Sequence, residues 1–389
     1  MSHPGPAGGD RPLRILHVDE VHWGGVVTLL HHFVEQQVLA GHDVHLLAPA
    51  PMPTWPGVHQ HTWSVERGRP RTFLPALREL RRTVAAVRPD VIHLHSFVAG
   101  LLGRLPGSLS WSGRVPVVYQ PHAWSTDLFT RRALSWGVGA TERAAAKHTD
   151  VLVANCQDEV DRGRDLGVTV PGRPLGVAVD LARFHPVDDA ERRHHREALG
   201  VGSDQRVLLV LGRIARQKGQ DLLLPEWERS RPERTLLALV GPGDPQTVAG
   251  LAPTQWGQTV RAFGEPEAVL PWLWAADALV LSSRYETVGL VVAEAMATGL
   301  PVVATNVDGA RETLTGGDIP AAGAVVDLAD MRSLLSAAGE RLADRELWER
   351  ESMAGRQRAE AMFRPEVVAS RLEAAYREAI TIVERDERR

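Results

Sequence analysis

Cysteine and lysine are nearly missing from this chain of 389 residues: Cys156 stands alone, and of 44 basic residues only Lys147 and Lys218 are lysine. One cysteine excludes an intramolecular disulfide framework and a cysteine-based zinc site. No run approaches the roughly 20 apolar residues that span a bilayer. The opening residues, MSHPGPAGGD, lack the apolar stretch of a signal peptide. A cytoplasmic location is the expectation that follows. No Asp-x-Asp occurs, so the common carboxylate clamp for a metal–nucleotide complex is missing and no metal site is expected. Arginine serves almost everywhere as the cation, so a retained lysine points to a need for a compact ammonium rather than a planar fork.

The apolar share of 44% and the charged share of 24% are those of a folded globular chain. Residues 1–187 carry 19 basic and 16 acidic side chains and the remainder 25 and 32, which together give the net charge of −4. So weakly basic a front half gives no footing for nucleic acid as a partner. It suits an anionic membrane surface or phosphate-bearing substrates.

Short apolar runs alternate with amphipathic ones. Ile15–Val18, Val44–Leu47, Val91–Leu94, Val115–Tyr119 and Val151–Ala154 read as strands, with helices over Val26–Leu39 and Phe73–Val87. A looser stretch from 171 to 204 holds Pro171, Pro174, Pro186 and the charged run Asp188–Arg196. The pattern then restarts, with strands at Val207–Leu211, Leu236–Val240, Ala278–Leu281 and Pro301–Ala304. This alternation predicts α/β architecture: two tandem Rossmann-like, doubly wound domains. Such sheets bind ligands at the carboxyl ends of their strands, and two facing one another enclose an interdomain cleft. The expected division is a disordered tail over 1–12, a first domain over 13–185, a second over 186–365, and a C-terminal helix over 366–389 that crosses back to the first.

Several strand ends carry candidate chemistry. Gly24 and Gly25 follow the first strand, where glycines admit a ligand to the backbone and a helix start offers free N–H groups to a phosphate. Gly212, Arg213, Lys218 and Gly219 follow the first strand of the second half. A guanidinium fork and a point charge there suit a diphosphate. Glu286 lies in the loop after Ala278–Leu281. Gly289 and Leu290 open a mostly apolar helix on which Glu294 is the only charge. A carboxylate on such a helix is costly unless partnered, and ribose hydroxyls or a core arginine would serve. His122, after Val115–Tyr119, can donate or accept at a sugar hydroxyl. His93 and His95 place two imidazoles on one strand face, with no third metal ligand evident nearby. Cys156 reads as a small packed residue.

Together these segments resemble the family 4 retaining glycosyltransferases of GT-B fold, over roughly residues 13–380. The most specific part is E-x7-E, Glu286 to Glu294, followed by AMATGLPVVA over 295–304. Gly212-Arg213, Lys218-Gly219, Val240-Gly241-Pro242-Gly243, Gly24-Gly25, Gly41-His42 and Pro121-His122 match in order. The resemblance implies that Arg213 and Lys218 hold the donor diphosphate, Glu294 the ribose and Glu286 the donor sugar. It implies further that Gly24, Gly25, Gly241, Gly289 and Leu290 approach the phosphates, Phe263 and Gly264 border the base, and His122 touches the sugar near the reacting centre. Three positions depart from the family pattern: Thr287 and Val288 replace Gly and an aromatic, the stretch before Asp180 lacks Asn-Gly, and Ala123 stands where Gly is common.

The implied activity is metal-independent, retaining transfer of a hexose-type sugar from a nucleotide diphosphosugar, UDP-linked before GDP-linked, to an acceptor hydroxyl. Polysaccharide or glycolipid assembly is the first expectation. A small-molecule acceptor is the alternative, and beyond it stand an epimerase, a phosphorylase or a silent nucleotide-sugar-binding protein on the same fold. The arginines at 67, 69, 71, 78, 81, 82 and 88 surround a predicted helix and suit peripheral contact with an anionic membrane that carries a lipid-linked acceptor.

Overall fold

The computed structural model describes residues 11–105, 114–128, 132–202 and 204–388. Residues 1–10 of the expected tail lie outside the described residues. Arg11, at its end, forms an ion pair of 2.7 Å with Asp90.

Among the described residues, thirteen strands form two parallel sheets. In the first sheet these are β1 (Arg14–Asp19), β2 (Asp43–Ala48), β3 (Val58–Thr62), β4 (Val91–His95), β5 (Val117–Gln120), β6 (Val151–Ala154) and β7 (Gly172–Pro174). In the second they are β8 (Arg206–Leu211), β9 (Thr235–Val240), β10 (Val260–Ala262), β11 (Ala278–Leu281), β12 (Val302–Thr305) and β13 (Gly323–Val326). The strand orders are β3-β2-β1-β4-β5-β6-β7 and β10-β9-β8-β11-β12-β13. Each order reverses beside its first strand, between β1 and β4 and between β8 and β11, and such a switch point leaves a crevice beyond the carboxyl ends of the strands.

The chain divides into two compact units. The first holds the described residues within Met1–Ala154, Val160–Leu175 and Ala369–Arg389, and the second those within Asn155–Glu159 and Gly176–Val368. Two stretches read as loose linker have structure: β7, and a helix over Asp189–Ala198 whose N-cap Asp188 accepts from the N–H groups of Ala190 and Glu191. That cap satisfies two of the free donors at the helix start.

Alternation along the strands gives the first sheet two unlike faces. Leu16, Val18, Ile92 and Leu94 turn to an apolar core with Ala76, Leu80, Val84 and Leu102 from the helices Phe73–Val87 and Ser96–Gly103. The alternate positions are polar and buried: His17, Asp19, His93, His95 and Gln120. In the parallel register His17 faces His93, Asp19 faces His95 and His95 faces Gln120. The helix Gly25–Leu39 supplies Gln37 to this face, and the helix Pro365–Glu387 supplies Tyr376. In the second sheet the central strands β8, β9, β11 and β12 are apolar except for Arg206, Thr235 and Thr305 at strand ends, as burial between two helix layers requires.

Candidate active site

In the second unit the loops after β8 and β11 meet at the switch point. Gly219 lies against the backbone carbonyl of Ser282: a Cβ built on it would sit 1.9 Å from that oxygen, and its φ is +70°. Only glycine fits. Arg284 ties the same two loops together, with its guanidinium on Asp221 at 2.6 and 2.8 Å and on the Arg216 carbonyl at 2.7 Å. The Arg284 hydrogen bond lowers the Asp221 carboxyl below its ordinary range. Gln220, almost fully buried, donates to the Arg213 carbonyl at 3.0 Å.

This staple brings the two sequence-predicted charges together. Lys218 Nζ donates to Glu286 Oε1 at 2.6 Å, and Ser283 Oγ donates to the same oxygen at 2.9 Å. The ammonium keeps two further donors, and the carboxylate keeps Oε2. Arg213 is exposed in the same loop. Gly241, at φ +144°, has no room for a side chain, since a Cβ would lie 2.4 Å from the Gly212 carbonyl oxygen. Phe263 packs against Trp272 with the rings tilted by 55° and their centroids 4.4 Å apart, and the Gly264 carbonyl accepts from Gly241 N at 2.7 Å.

Gly289 is the N-cap of the helix Leu290–Ala297. A Cβ on it would lie 3.7 Å from Glu286 Oε2, so the helix start and the free carboxylate oxygen are neighbours. Glu294 is partly buried on that helix and forms no ion pair among the described residues. Burial raises its carboxyl pKa to about 7, against a weaker opposing pull from Arg183. Val288 adopts φ +52°. A β-branched residue there is strained, and the position is one of those where the family pattern departs. Behind this turn a Cβ on Gly309 would lie 2.5 Å from Val288 Cγ2 and 3.1 Å from the sulfur of Cys156. Cys156 is buried, and burial pushes its thiol pKa up.

In the first unit Gly24, at φ +86°, and Gly25 open the helix after β1, and no atom lies within 4 Å of a Cβ built on either. His122 and Ala123, after β5, adopt φ +54° and +99°. Two consecutive non-glycine residues with positive φ are costly, and such strain gathers at functional sites. His122 Nε2 lies 2.9 Å from His95 Nδ1. Burial lowers the imidazole pKa of His122 to about 3 and of His17 to about 4, and that of His93 and His95 well below the ordinary value. His17 is the third imidazole that the sequence did not show beside His93 and His95. Their ring nitrogens lie within 4.8 Å of one another.

Sequence reasoning missed Ser283, Gln220 and Arg284. Arg284, two residues before Glu286, is the one with a signal. It also missed Glu20, a buried carboxylate that accepts from Val98 N at 3.1 Å, Ala99 N at 2.8 Å and Arg67 at 3.0 Å. Arg67 and Arg69 of the basic stretch are therefore spent on local ion pairs, with Glu20 and Glu66.

Comparison with known proteins agrees with this geometry. Residues 23–183 match the family described as Glycosyltransferase Family 4, and residues 205–344 match Glycosyl transferases group 1. A D-inositol 3-phosphate glycosyltransferase of Thermobispora bispora is 32% identical over 330 residues, which cover 78% of this chain and 74% of that one. Other proteins of that name are matched over only 58 and 59% of their length. The lipopolysaccharide core biosynthesis mannosyltransferase LpsB of Rhizobium meliloti is 24% identical, covering 90% of this chain and 93% of the relative. Among solved structures, Anabaena Alr3699/HepE in complex with UDP-glucose superposes with a TM-score of 0.76 at 18% identity, covering 93% of this chain and 98% of that one. The two doubly wound parallel sheets are those of the GT-B fold, and the chain belongs to the family 4 glycosyltransferases.

Proposed function

We propose that the protein transfers a hexose-type sugar from a nucleoside diphosphate sugar to an acceptor hydroxyl with retention at the anomeric carbon, in polysaccharide or glycolipid assembly. The observation that carries this reading is the Lys218–Glu286 pair of 2.6 Å at the switch point of the second sheet, beside Gly219 and the start of the helix Leu290–Ala297. Lys218 has two donors left for the diphosphate, and Arg213 supplies a second cation. Glu286 Oε2 accepts from a sugar hydroxyl, Glu294 takes the ribose hydroxyls, and Phe263 and Gly264 border the base. Gly24, Gly25 and Gly241 leave the phosphates close access to backbone.

Transfer breaks the bond between the anomeric carbon and the β-phosphate oxygen and forms one to the acceptor oxygen. The acceptor's proton passes to the departing phosphate oxygen on the same face. Negative charge grows on the diphosphate as the bond opens, and a fixed cation aimed at it contributes about 3–4 kcal/mol. Lys218 and Arg213 supply that charge from the protein itself, which is the basis for expecting turnover without a divalent cation.

The LpsB relative supports a glycolipid acceptor, and the UDP-glucose complex of the Anabaena protein supports a UDP-linked donor. Arg78 and Arg82 are exposed on the helix Phe73–Val87, near Leu74, which is 58% exposed. This face suits peripheral contact with an anionic membrane, and co-sedimentation with liposomes that is indifferent to anionic lipid would remove it.

The deciding experiment is a thermal-shift titration with UDP, GDP, ADP and NAD, each with magnesium and with EDTA. It is followed by a donor-sugar screen and NMR assignment of the product anomer. Stabilisation by one nucleoside diphosphate in EDTA, and a retained anomer, are the expected results. A shift with NAD alone, or an inverted product, overturns the proposal.

A further inference from the structure

The polar face of the first sheet holds a continuous line of hydrogen bonds. Gln37 Oε1 lies 2.8 Å from His17 Nε2, His17 Nδ1 lies 2.9 Å from His95 Nε2, and His95 Nδ1 lies 2.9 Å from His122 Nε2. The rings of His17 and His95 are inclined by 25° with centroids 5.2 Å apart, and those of His95 and His122 by 15° at 5.2 Å. Nearly coplanar rings at that separation are joined edge to edge, with an N–H of one in line with a lone pair of the next. A second branch leaves the same amide: Gln37 Nε2 donates to Tyr376 Oη at 3.3 Å, and Tyr376 Oη lies 2.8 Å from His93 Nδ1.

The amide oxygen has no hydrogen, so His17 must donate through Nε2. A neutral imidazole carries one N–H. His17 Nδ1 therefore accepts, His95 donates through Nε2, His95 Nδ1 accepts, and His122 donates through Nε2. Each ring passes the constraint to the next, and the last nitrogen, His122 Nδ1, is left bare. Among the described residues it has no partner. The second branch runs from the other end of the same amide: Gln37 donates to Tyr376, and Tyr376 donates to His93 Nδ1, which leaves the proton of His93 on Nε2.

We propose that Gln37, His17 and His95 form a directional relay that holds the proton of His122 on Nε2 and so presents His122 Nδ1, at the carboxyl end of β5, as a fixed acceptor for a hydroxyl of the sugar being transferred. The identity of that hydroxyl rests on the function proposed above. The proton order is a property of this chain alone. Gln37, His17 and His95 are thus positioning residues that act through His122. They favour donor sugars with a hydroxyl where His122 reaches and disfavour those with a deoxy position there, because the acceptor is then left unmet. A metal ion held by His17, His93 and His95 is the competing occupant of the cluster. The in-line bonds already use the facing nitrogens of His17 and His95.

The test is long-range 1H–15N NMR of the full chain labelled at histidine, with signals assigned from His17→Gln, His95→Gln and His122→Asn, before and after addition of UDP or UDP-glucose. Protons on Nε2 of all three rings are expected, together with a pyridine-type Nδ1 on His122 that moves with UDP-glucose and not with UDP. Gln37→Leu is expected to mix the His122 tautomers and lower kcat/KM with UDP-glucose by up to about tenfold, the worth of one hydrogen bond. Gln37→Glu, which still accepts, restores both. A proton on His122 Nδ1, unchanged His122 signals in Gln37→Leu, or stoichiometric zinc whose chelation shifts the His17 and His95 signals overturns the relay. Binding of UDP-glucose with no movement of His122 Nδ1 overturns its role at the sugar. Failure of the transferase reading looks different: neither UDP nor UDP-glucose binds while the Nε2 order stands, which removes the ligand and keeps the order. Should Gln37→Leu not fold, the wild-type spectra decide alone.

Discussion

At the strand ends of the second unit the polar groups are charged, sit in loops and are held from outside the sheet: Lys218 on Glu286, Arg284 on Asp221, Gly219 against Ser282. On the polar face of the first sheet the imidazoles are neutral and held by one another: His17 and His95 within strands, His122 just past β5 and Gln37 on the helix Gly25–Leu39, end to end. The contrast teaches how burial selects chemistry. Loops past a strand end keep enough solvent for a paired ammonium and carboxylate. A sheet face under two helices does not, and imidazoles there stay uncharged and trade in single protons. On the function proposed above, the second unit would meet the charge of the diphosphate and His122 of the first a sugar hydroxyl.

Removing the charge is the largest expected blow to this contrast. Lys218→Ala should cut transfer about 100- to 1000-fold, the loss of one preorganised cation, and leaves Glu286 buried without its partner. Lys218→Arg should not restore activity, because a planar fork does not replace a point charge on Glu286 Oε1, which Ser283 also shares. Steady-state turnover beside a circular dichroism control checks both, and near-normal turnover in the alanine variant takes Lys218 out of the site. Next, Gly219→Ala should destabilise by about 3 kcal/mol in denaturant titration, since overpacking and positive φ add. An unchanged midpoint would mean that the two loops are not locked together.

Glu294 sharpens the comparison, as a carboxylate of the second unit whose ionisation burial opposes. Its pKa is about 7 folded against an ordinary 4.5. Between those values the folded chain holds a proton that the unfolded chain has released, so stability falls as pH rises through that window. Glu294→Gln should therefore be stabilising by about 1–3 kcal/mol at pH 8 and neutral at pH 4. Nucleotide affinity of the wild type should move the other way, tightening from pH 6 to 8 as the carboxylate becomes available to ribose hydroxyls. Equal urea midpoints for variant and wild type at pH 8 would show Glu294 already solvated. The smallest effect belongs to the first unit. Ala123→Gly relieves φ +99° and should stabilise by about 1 kcal/mol or less, a positive-φ gain partly offset by added chain entropy. A loss of stability would show that the turn depends on the methyl group.

The sequence made the fold legible where strands are buried on both faces. All nine expected strands are present, and the four it did not show, β3, β7, β10 and β13, are the sheet edges. An edge strand lacks the continuous apolar run that burial imposes. β3, VHQHT, is polar along most of its length, and β7 and β10 have three residues each. The charged loop residues were legible because each lies at fixed spacing from a strand end or a glycine. The imidazole line was not. His93-Leu94-His95 showed two members, but His17 joins only through the β1–β4 register and Gln37 only through the helix above it. Those placements come from packing across the chain, not from spacing along it. Ala123 was visible as a departure from the family pattern, and its φ gives that departure a physical meaning.

Cys156 lies against Gly309, which also meets Val288 of the strained turn between Glu286 and its helix. Because the chain has no other thiol, a disulfide-exchange reagent has one target, and it reaches that target only when the turn lifts. The rate of its uptake is then a clock for local opening next to the loop that carries Glu286, read from the unmodified sequence. A ligand that seats on Glu286 and Gly289 should slow that clock whether or not turnover follows.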